Sequence, residues 1–141
     1  MRALKIIILV FVLIRISGCA KEEKFTPNEK TEELLMAQVW ELTEVKIDGV
    51  VSDLYSGLTL SFGSKTYTTT NGGKVWPAFG KWEFIGEKGD KILRDDGLQI
   101  DIISANASQL VLSFIWNSTV FDGGRTGALK GLHQMTFKRK N

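Results

Sequence analysis

Residues 58–70 read LTLSFGSKTYTTT, and this stretch decides the fold class. Its first five residues alternate apolar and hydroxyl-bearing side chains, which is the period of two of a strand with one buried face. Gly63 and Ser64 then mark a turn. The threonine-rich run from Lys65 to Thr70 follows, and its residue types favour strands. The stretch therefore predicts two neighbouring antiparallel strands.

The same pattern of short apolar runs and turn residues continues along the chain. Eight strands are predicted, over residues 40–47, 58–62, 65–70, 80–85, 91–94, 98–102, 109–116 and 131–139. Short connections favour an up-and-down order, and closing eight strands into a barrel removes exposed sheet edges. The predicted fold class is therefore all-β, an eight-stranded antiparallel up-and-down barrel, with a sandwich as the alternative.

The first strand carries an irregular pattern. Trp40 and Leu42 share one face, whereas Val45 and Ile47 share the other. A strand with one buried face cannot hold both pairs in a regular register, because side chains alternate strictly between faces. We therefore expect a bulge or a sharp bend near Thr43.

Residues 1–18 have the three zones of an export signal. Arg2 and Lys5 give a basic start, and an apolar run follows over residues 6–14. This run is roughly half as long as a membrane-spanning helix, so it does not predict a lasting transmembrane anchor.

Residues 16–19 read ISGC and resemble the lipobox of bacterial lipoproteins. The resemblance implies that signal peptidase cleaves before Cys19 and that acyl chains such as palmitate on Cys19 tether the protein to a membrane. Cys19 is the single cysteine, which excludes a disulfide within the chain. An ordinary free cysteine after an apolar run is the alternative, and Arg15 departs from the usual lipoprotein pattern.

Residues 19–28 predict a flexible tether, because they are charged and lack apolar periodicity. The order Lys21-Glu22-Glu23 resembles a signal that directs some lipoproteins to the outer face of the outer membrane, although an ordinary charged linker explains it equally well. We expect a lipid-anchored protein of the bacterial cell envelope, at the outer membrane, on its periplasmic or its surface face. A short helix is predicted over residues 28–38.

Composition limits the partners of the mature chain. Removing residues 1–18 leaves fifteen basic and sixteen acidic residues, so the chain is nearly neutral. It has no basic stripe, which argues against nucleic acid as a partner. The remaining length fits one domain, residues 29–141, and we expect a monomer.

The order of these features resembles small lipocalin-like lipoproteins of the calycin group. A short helix leads into a strand that opens with Trp40, eight strands follow in meander order, and Arg139 closes the last strand. The resemblance implies a barrel that binds a small apolar or amphipathic molecule. Gln38 stands where the lipocalin signature has a glycine, so the resemblance implies the fold more strongly than the ligand.

Alternate connections of an up-and-down barrel share one end, which brings together the long loops 48–57, 71–79 and 117–130. Function concentrates in long loops on a rigid scaffold, and a barrel mouth is a common ligand site. Aromatic faces there could stack on an apolar molecule or a short glycan, and an arginine could bind a polar end. The predicted ligand-binding residues are Tyr55, Trp76, Phe79, Trp116, Phe121 and Arg125.

The same aromatic side chains fit a second interpretation. They could fold inward as a plug, and the packed barrel would then act as a protein-interaction or envelope-structural module. A hollow interior favours ligand binding, and a filled interior favours the module.

The sequence predicts no enzyme, no metal site and no cofactor. His133 is the single histidine and shares a strand face with Met135 and Phe137, so we interpret it as a hydrogen-bonded core group. A metal site would need several such donors, and a hydrolytic triad would need a partnered nucleophile. The glycine-rich residues 122–127 lack the lysine of a phosphate loop and fit a hairpin turn.

Overall fold

The structure, a computed structural model, describes Gly18 and residues 23–141. Within this part, the chain forms one helix and eleven strands. The helix α1 spans Pro27–Met36. The strands are β1 Val39–Ile47, β2 Val50–Ser52, β3 Thr59–Gly63, β4 Thr66–Thr70, β5 Phe79–Phe84, β6 Lys91–Arg94, β7 Gln99–Ala105, β8 Gln109–Trp116, β9 Val120–Asp122, β10 Arg125–Ala128 and β11 Gly131–Arg139.

Eight of these strands close into an antiparallel barrel, so the predicted fold class is confirmed. Strands β3 to β8 pair with their neighbours in chain order, β8 pairs with β11, and β1 pairs with both β3 and β11. The seam between the first and last strands runs from the pair Trp40 and Arg139 to the pair Ile47 and His133. Because this seam closes the sheet on itself, neither β1 nor β11 is left as an open edge of the barrel.

The expected bulge near Thr43 is confirmed. The register between β1 and β11 shifts between Leu42 and Glu44, and the Thr43 hydroxyl donates a hydrogen bond to the carbonyl of Thr136 at 2.9 Å. On its other side β1 pairs with β3 before the bulge and with β2 after it. The bulge therefore lets one strand hold its apolar residues toward the interior on both sides of a bend.

The helix α1 begins with a capping box. Thr26 accepts a hydrogen bond from the backbone of Glu29, and the Glu29 carboxylate accepts one from the backbone of Thr26. Pro27 occupies the first turn, where no intrahelical donor is needed. The helix starts one residue earlier than predicted and ends at Met36, two residues earlier.

This helix lies across one end of the barrel and contacts the turns at that end. Asn28 donates to the carbonyl of Gly86, and Ser64 donates to the carboxylate of Glu32. Leu35 is fully buried, and its carbonyl accepts a hydrogen bond from the indole of Trp40 at 3.1 Å. We call this the closed end.

The barrel interior is filled by large side chains from every strand of the barrel. Alternation along each strand turns one set inward, and the helix and one loop add to it. The buried hydrophobic residues include Leu35, Trp40, Leu60, Phe62, Tyr67, Trp76, Trp82, Ile92, Ile100, Leu110, Leu112, Phe114, Met135 and Phe137. Packed aromatic and branched side chains of this size fill the interior of an eight-stranded barrel.

Three strands of three or four residues each were not predicted, because they lie within stretches that were interpreted as the long loops 48–57 and 117–130. β2 forms a hairpin with β1 through Asp48 and Gly49, which both have positive φ as a two-residue hairpin turn requires. β9 and β10 form a separate hairpin through Gly123 and Gly124 in the same way. Two of the predicted loops therefore contain hairpins.

The predicted signal peptide and Cys19 lie outside the described residues, apart from Gly18. The helix begins at Pro27, which shortens the flexible part of the predicted tether by two residues. In the part of the chain that the structure describes, helix α1 is too short to cross a bilayer, and no other helix is a candidate span.

Candidate functional site

The long connections meet at the end of the barrel opposite α1. Successive turns of an antiparallel meander alternate between two ends, so residues 48–58, 71–78, 95–98 and 117–130 lie together. Direct contacts tie these loops to one another. The Asn71 amide donates to the carbonyl of Gly57 at 3.1 Å. We call this end the rim.

Residues 71–78 fold into the barrel mouth and place Trp76 in the core. Trp76 is only 1% exposed. Its ring meets those of Tyr67 and Phe114 edge to face, at centroid distances of 5.6 and 6.2 Å. Its indole nitrogen lies 3.3 Å from the sulfur of Met135 on the far side of the barrel. Trp76 therefore acts as a plug, and we call residues 71–78 the plug loop.

The local sequence explains why the plug loop turns inward. Asn71 has a φ of 58°, which asparagine tolerates better than most residues. The Trp76 amide donates to the carbonyl of Gly72 at 3.0 Å, and a Cβ at Gly72 would overlap the backbone of Trp76. The Thr69 hydroxyl donates to the carbonyl of Pro77 at 2.8 Å. Glycine at position 72 thus permits a compact loop that β4 holds in place.

Arg94 holds the plug loop from inside the barrel. Its side chain has no exposed surface, and its Nη1 donates to the carbonyl of Val75 at 2.7 Å. The guanidinium carbon lies 4.9 Å from the centroid of the Trp76 ring, a cation–π contact. The remaining contacts go to Asp96, whose carboxylate accepts from both Nε and Nη2. Arg94 therefore links the β6–β7 turn to the plug loop.

The contacts with Arg94 change the pKa of the Asp96 carboxyl. The hydrogen bonds from Arg94 hold the pKa of the Asp96 carboxyl below its ordinary value of 3.8, against the opposing effect of partial burial. A buried guanidinium without an anionic partner would be strongly unfavourable. The position of Asp96 in the turn therefore makes the burial of Arg94 tolerable.

A second buried polar pair ties the first rim loop to β11. The Tyr55 hydroxyl lies 3.2 Å from Nε2 of His133, and His133 is wholly buried. The expectation of a hydrogen-bonded core histidine is confirmed, because Nδ1 also contacts the carbonyl of Gly131 at 3.1 Å. Burial raises the pKa of Tyr55 to about 12, so its hydroxyl stays protonated.

No protein-family model matches this chain, and no curated protein is similar to it. The candidate site therefore depends on the geometry of the chain itself.

The structure places the six predicted ligand-binding residues in two groups. Tyr55 and Trp76 are buried in the core, and Trp116 is partly buried against it. Phe79, Phe121 and Arg125 are exposed instead. Phe79 lies on the outer wall, because alternation along β5 turns Trp82 inward.

Surface depressions occur at several places on the described residues. One, of about 440 Å³, lies between the outer faces of β5 and β6 beside Lys81 and Leu93. A second, about 300 Å³, lies over β7, β8 and β11, and a third, about 180 Å³, lies beside the bulge in β1. None of these three is lined by Tyr55, Trp76 or Phe121. Among the described residues, no group of three or more histidine, cysteine or acidic side chains is arranged to hold a metal ion.

Sequence reasoning missed Arg94 and Asp96 as a pair. Asp-Asp-Gly at residues 95–97 is typical of a turn, and Asp96 does lie in one, since its carboxylate also accepts from the backbone of Leu98. The available signal was the alternation in β6, where Arg94 shares a face with the apolar Ile92. A charged residue on the inward face of a strand indicates a buried partner nearby.

Proposed function

We propose that the chain is a lipid-anchored module of the bacterial cell envelope, a packed barrel that acts through contacts of its rim with a partner protein. The observation that carries this proposal is the burial of Trp76 in the mouth, against Tyr67, Phe114 and Met135. A side chain of this size at this place occupies the volume that an interior ligand would need.

Exposed apolar side chains on the rim support the same proposal. Phe121 is 72% exposed on the β9–β10 hairpin, and Val50 is 70% exposed on the β1–β2 hairpin. Val51 and Leu132 are also exposed nearby along β2 and β11. Exposed apolar side chains are candidates for protein contacts, and the rim carries these four, while Phe25, Met36 and Val39 are exposed near the closed end.

The predicted tether supports an orientation in which the rim faces outward. It enters the domain at Thr26, beside the closed end, and residues 20–26 reach at most about 25 Å when fully extended. A lipidated Cys19 would then hold the closed end nearer the membrane and leave the rim free for a partner.

Ligand binding at the mouth is the second candidate function. The wholly buried Arg94 favours it, because a guanidinium below the mouth could bind the acidic end of an amphipathic molecule. Such binding requires Trp76 to leave the interior. A screen of lipids, bile salts, haem and oligosaccharides by tryptophan fluorescence separates the two candidates, since the packed module predicts no response.

Photocrosslinking in cells tests the partner directly. We expect a photoreactive phenylalanine analogue at Phe121 to form a discrete adduct with an envelope protein. The matched control places the same analogue at Glu87, which is exposed in the β5–β6 turn at the closed end. Adducts of equal yield at both positions, or none at Phe121, would exclude the rim as the contact surface.

The anchor has its own test. We expect an alkyne analogue of palmitate to label the wild-type protein, and Cys19→Ala to lose the label. Cys19 is the single cysteine, so no other thiol can account for the label. A Cys19→Ala chain that stays labelled would contradict lipidation at this residue.

A further inference from the structure

The hydrogen bonds of His133 fix which of its nitrogens carries the proton. Nδ1 lies 3.1 Å from the carbonyl of Gly131, and a carbonyl only accepts. Nδ1 is therefore the donor of the neutral ring, and Nε2 is the acceptor. The ring also stacks on Phe114 with centroids 5.2 Å apart, inside the barrel.

The Tyr55 hydroxyl adds a second hydrogen bond that runs in the same direction. It lies 3.2 Å from Nε2 of His133 and donates to it. Donors thus run in one direction from Tyr55 through His133 to Gly131. These hydrogen bonds join the first rim loop to β11.

Protonation of Nε2 disrupts this series of hydrogen bonds. Nε2 would become a second donor aimed at the Tyr55 hydroxyl, and the hydroxyl hydrogen would lose its acceptor. An orphaned buried donor and an imidazolium packed on Phe114 are both costly. If Tyr55 leaves the site, its hydroxyl can donate to water, and water can also reach the imidazolium of His133.

Among the described residues, few charged or titratable groups face the ring of His133. Asp48, in the β1–β2 turn, accepts a hydrogen bond from the Leu132 amide and favours protonation of the ring. Tyr55 faces the ring from the first rim loop, and β8 contributes the uncharged Phe114. Burial outweighs the hydrogen bond to the Gly131 carbonyl and the charge of Asp48, which both favour protonation, and lowers the pKa of His133 below its ordinary value of 6.5.

The backbone of Tyr55 is strained, and this strain lowers the free-energy cost of moving the residue. Tyr55 has a φ of 63°, a left-handed conformation that is unfavourable for an aromatic residue. The contacts of its side chain must offset this cost. We propose that His133 and Tyr55 form an acid-operated release, in which protonation of His133 frees Tyr55 and residues 53–58 detach from the rim.

The pH window follows from the direction of the shift. Because the native pKa of His133 is lowered, the closed rim has its full stability above pH 6.5. Stability is lost as the pH falls from 6.5 toward the native pKa, and no further loss from this group follows below it. The release therefore operates on the acidic side of neutrality.

Nuclear magnetic resonance of the wild-type protein tests the proposal, because a single histidine gives an unambiguous Cε1–H signal. We expect this signal to titrate below pH 6.5. Hydrogen exchange at the Leu54 and Leu58 amides, corrected for intrinsic rates, should accelerate at least about tenfold with the same midpoint. Exchange at the Gln109 amide, which Asn106 binds at the closed end, should not change.

Two variants sharpen the test. His133→Gln keeps an acceptor for Tyr55 but cannot ionise, so residues 53–58 should stay protected at pH 5. Tyr55→Phe removes the donor, so exchange in the segment should be fast already at pH 7.5 and independent of pH. A histidine that titrates while exchange at Leu54 and Leu58 stays constant would overturn the release. So would a histidine that titrates only as the whole barrel unfolds.

Discussion

Replacing Trp76 with alanine should lower the free energy of unfolding by about 3–5 kcal/mol. The indole is 1% exposed and contacts Tyr67, Phe114 and Met135, so its removal leaves a cavity that the strands of the barrel cannot collapse to fill. Urea unfolding followed by far-ultraviolet circular dichroism measures the change, since that signal does not depend on the deleted tryptophan.

Phe79→Ala is the matched control for this prediction. Phe79 is aromatic and lies one residue beyond the plug loop, but it is 79% exposed on the outer wall. Its removal should change stability by less than about 0.5 kcal/mol. Equal effects of the two substitutions would mean that Trp76 does not fill the mouth in solution.

Asp96→Ala should lower the free energy of unfolding by about 3 kcal/mol, because it leaves the buried guanidinium of Arg94 without its anionic partner. The effect falls at the low end of the range for buried pairs, since the Asp96 side chain is 41% exposed and water can partly replace it. In the wild-type protein, the part of this contribution that depends on the charge of Asp96 should be complete above pH 3.8 and decline as the pH falls from 3.8 toward the lowered pKa of Asp96.

A second substitution separates charge from packing. Arg94→Met removes the charge while keeping much of the apolar stem against Trp76. Added to Asp96→Ala, it should recover most of the lost stability, because no buried charge then remains. Two changes that simply add would show that Arg94 and Asp96 act independently.

The architecture of the barrel could be predicted from sequence because its signals are local. Alternation in residues 58–62 and turn residues such as Gly63 specify strands and their ends without reference to distant contacts. The bulge near Thr43 was also predictable, since the change of face between Leu42 and Val45 lies within one strand. Because the connections are short, only a few orders of the eight strands within the sheet are possible.

The state of the mouth could not be predicted in the same way. Whether Trp76 points inward or outward depends on partners that are far away in sequence, such as Arg94 and Met135. It also depends on Gly72, whose missing Cβ gives the loop its room. Aromatic residues in a long loop are compatible with a pocket and with a plug, so composition alone leaves both open.

The short strands of the rim hairpins were missed for a different reason, although the hairpin turn expected within residues 122–127 is present. Val50–Ser52 and Val120–Asp122 are too short to show a period. Their turns, Asp48-Gly49 and Gly123-Gly124, were the available signal, because both pairs favour two-residue hairpin turns. Two strong turn signals inside long loops indicate projecting hairpins even where the flanking strands are short.

The seam between β1 and β11 has a consequence for how the chain acquires its structure. Trp40 pairs with Arg139, so the contact that closes the sheet joins the two ends of the domain. Until the final strand has been synthesised, β8 and β1 each present backbone groups that nothing satisfies, and a shortened chain would expose both to aggregation. Closure of the barrel therefore waits for β11, and joining the two ends of the domain while opening a turn elsewhere would preserve every strand pairing in the barrel.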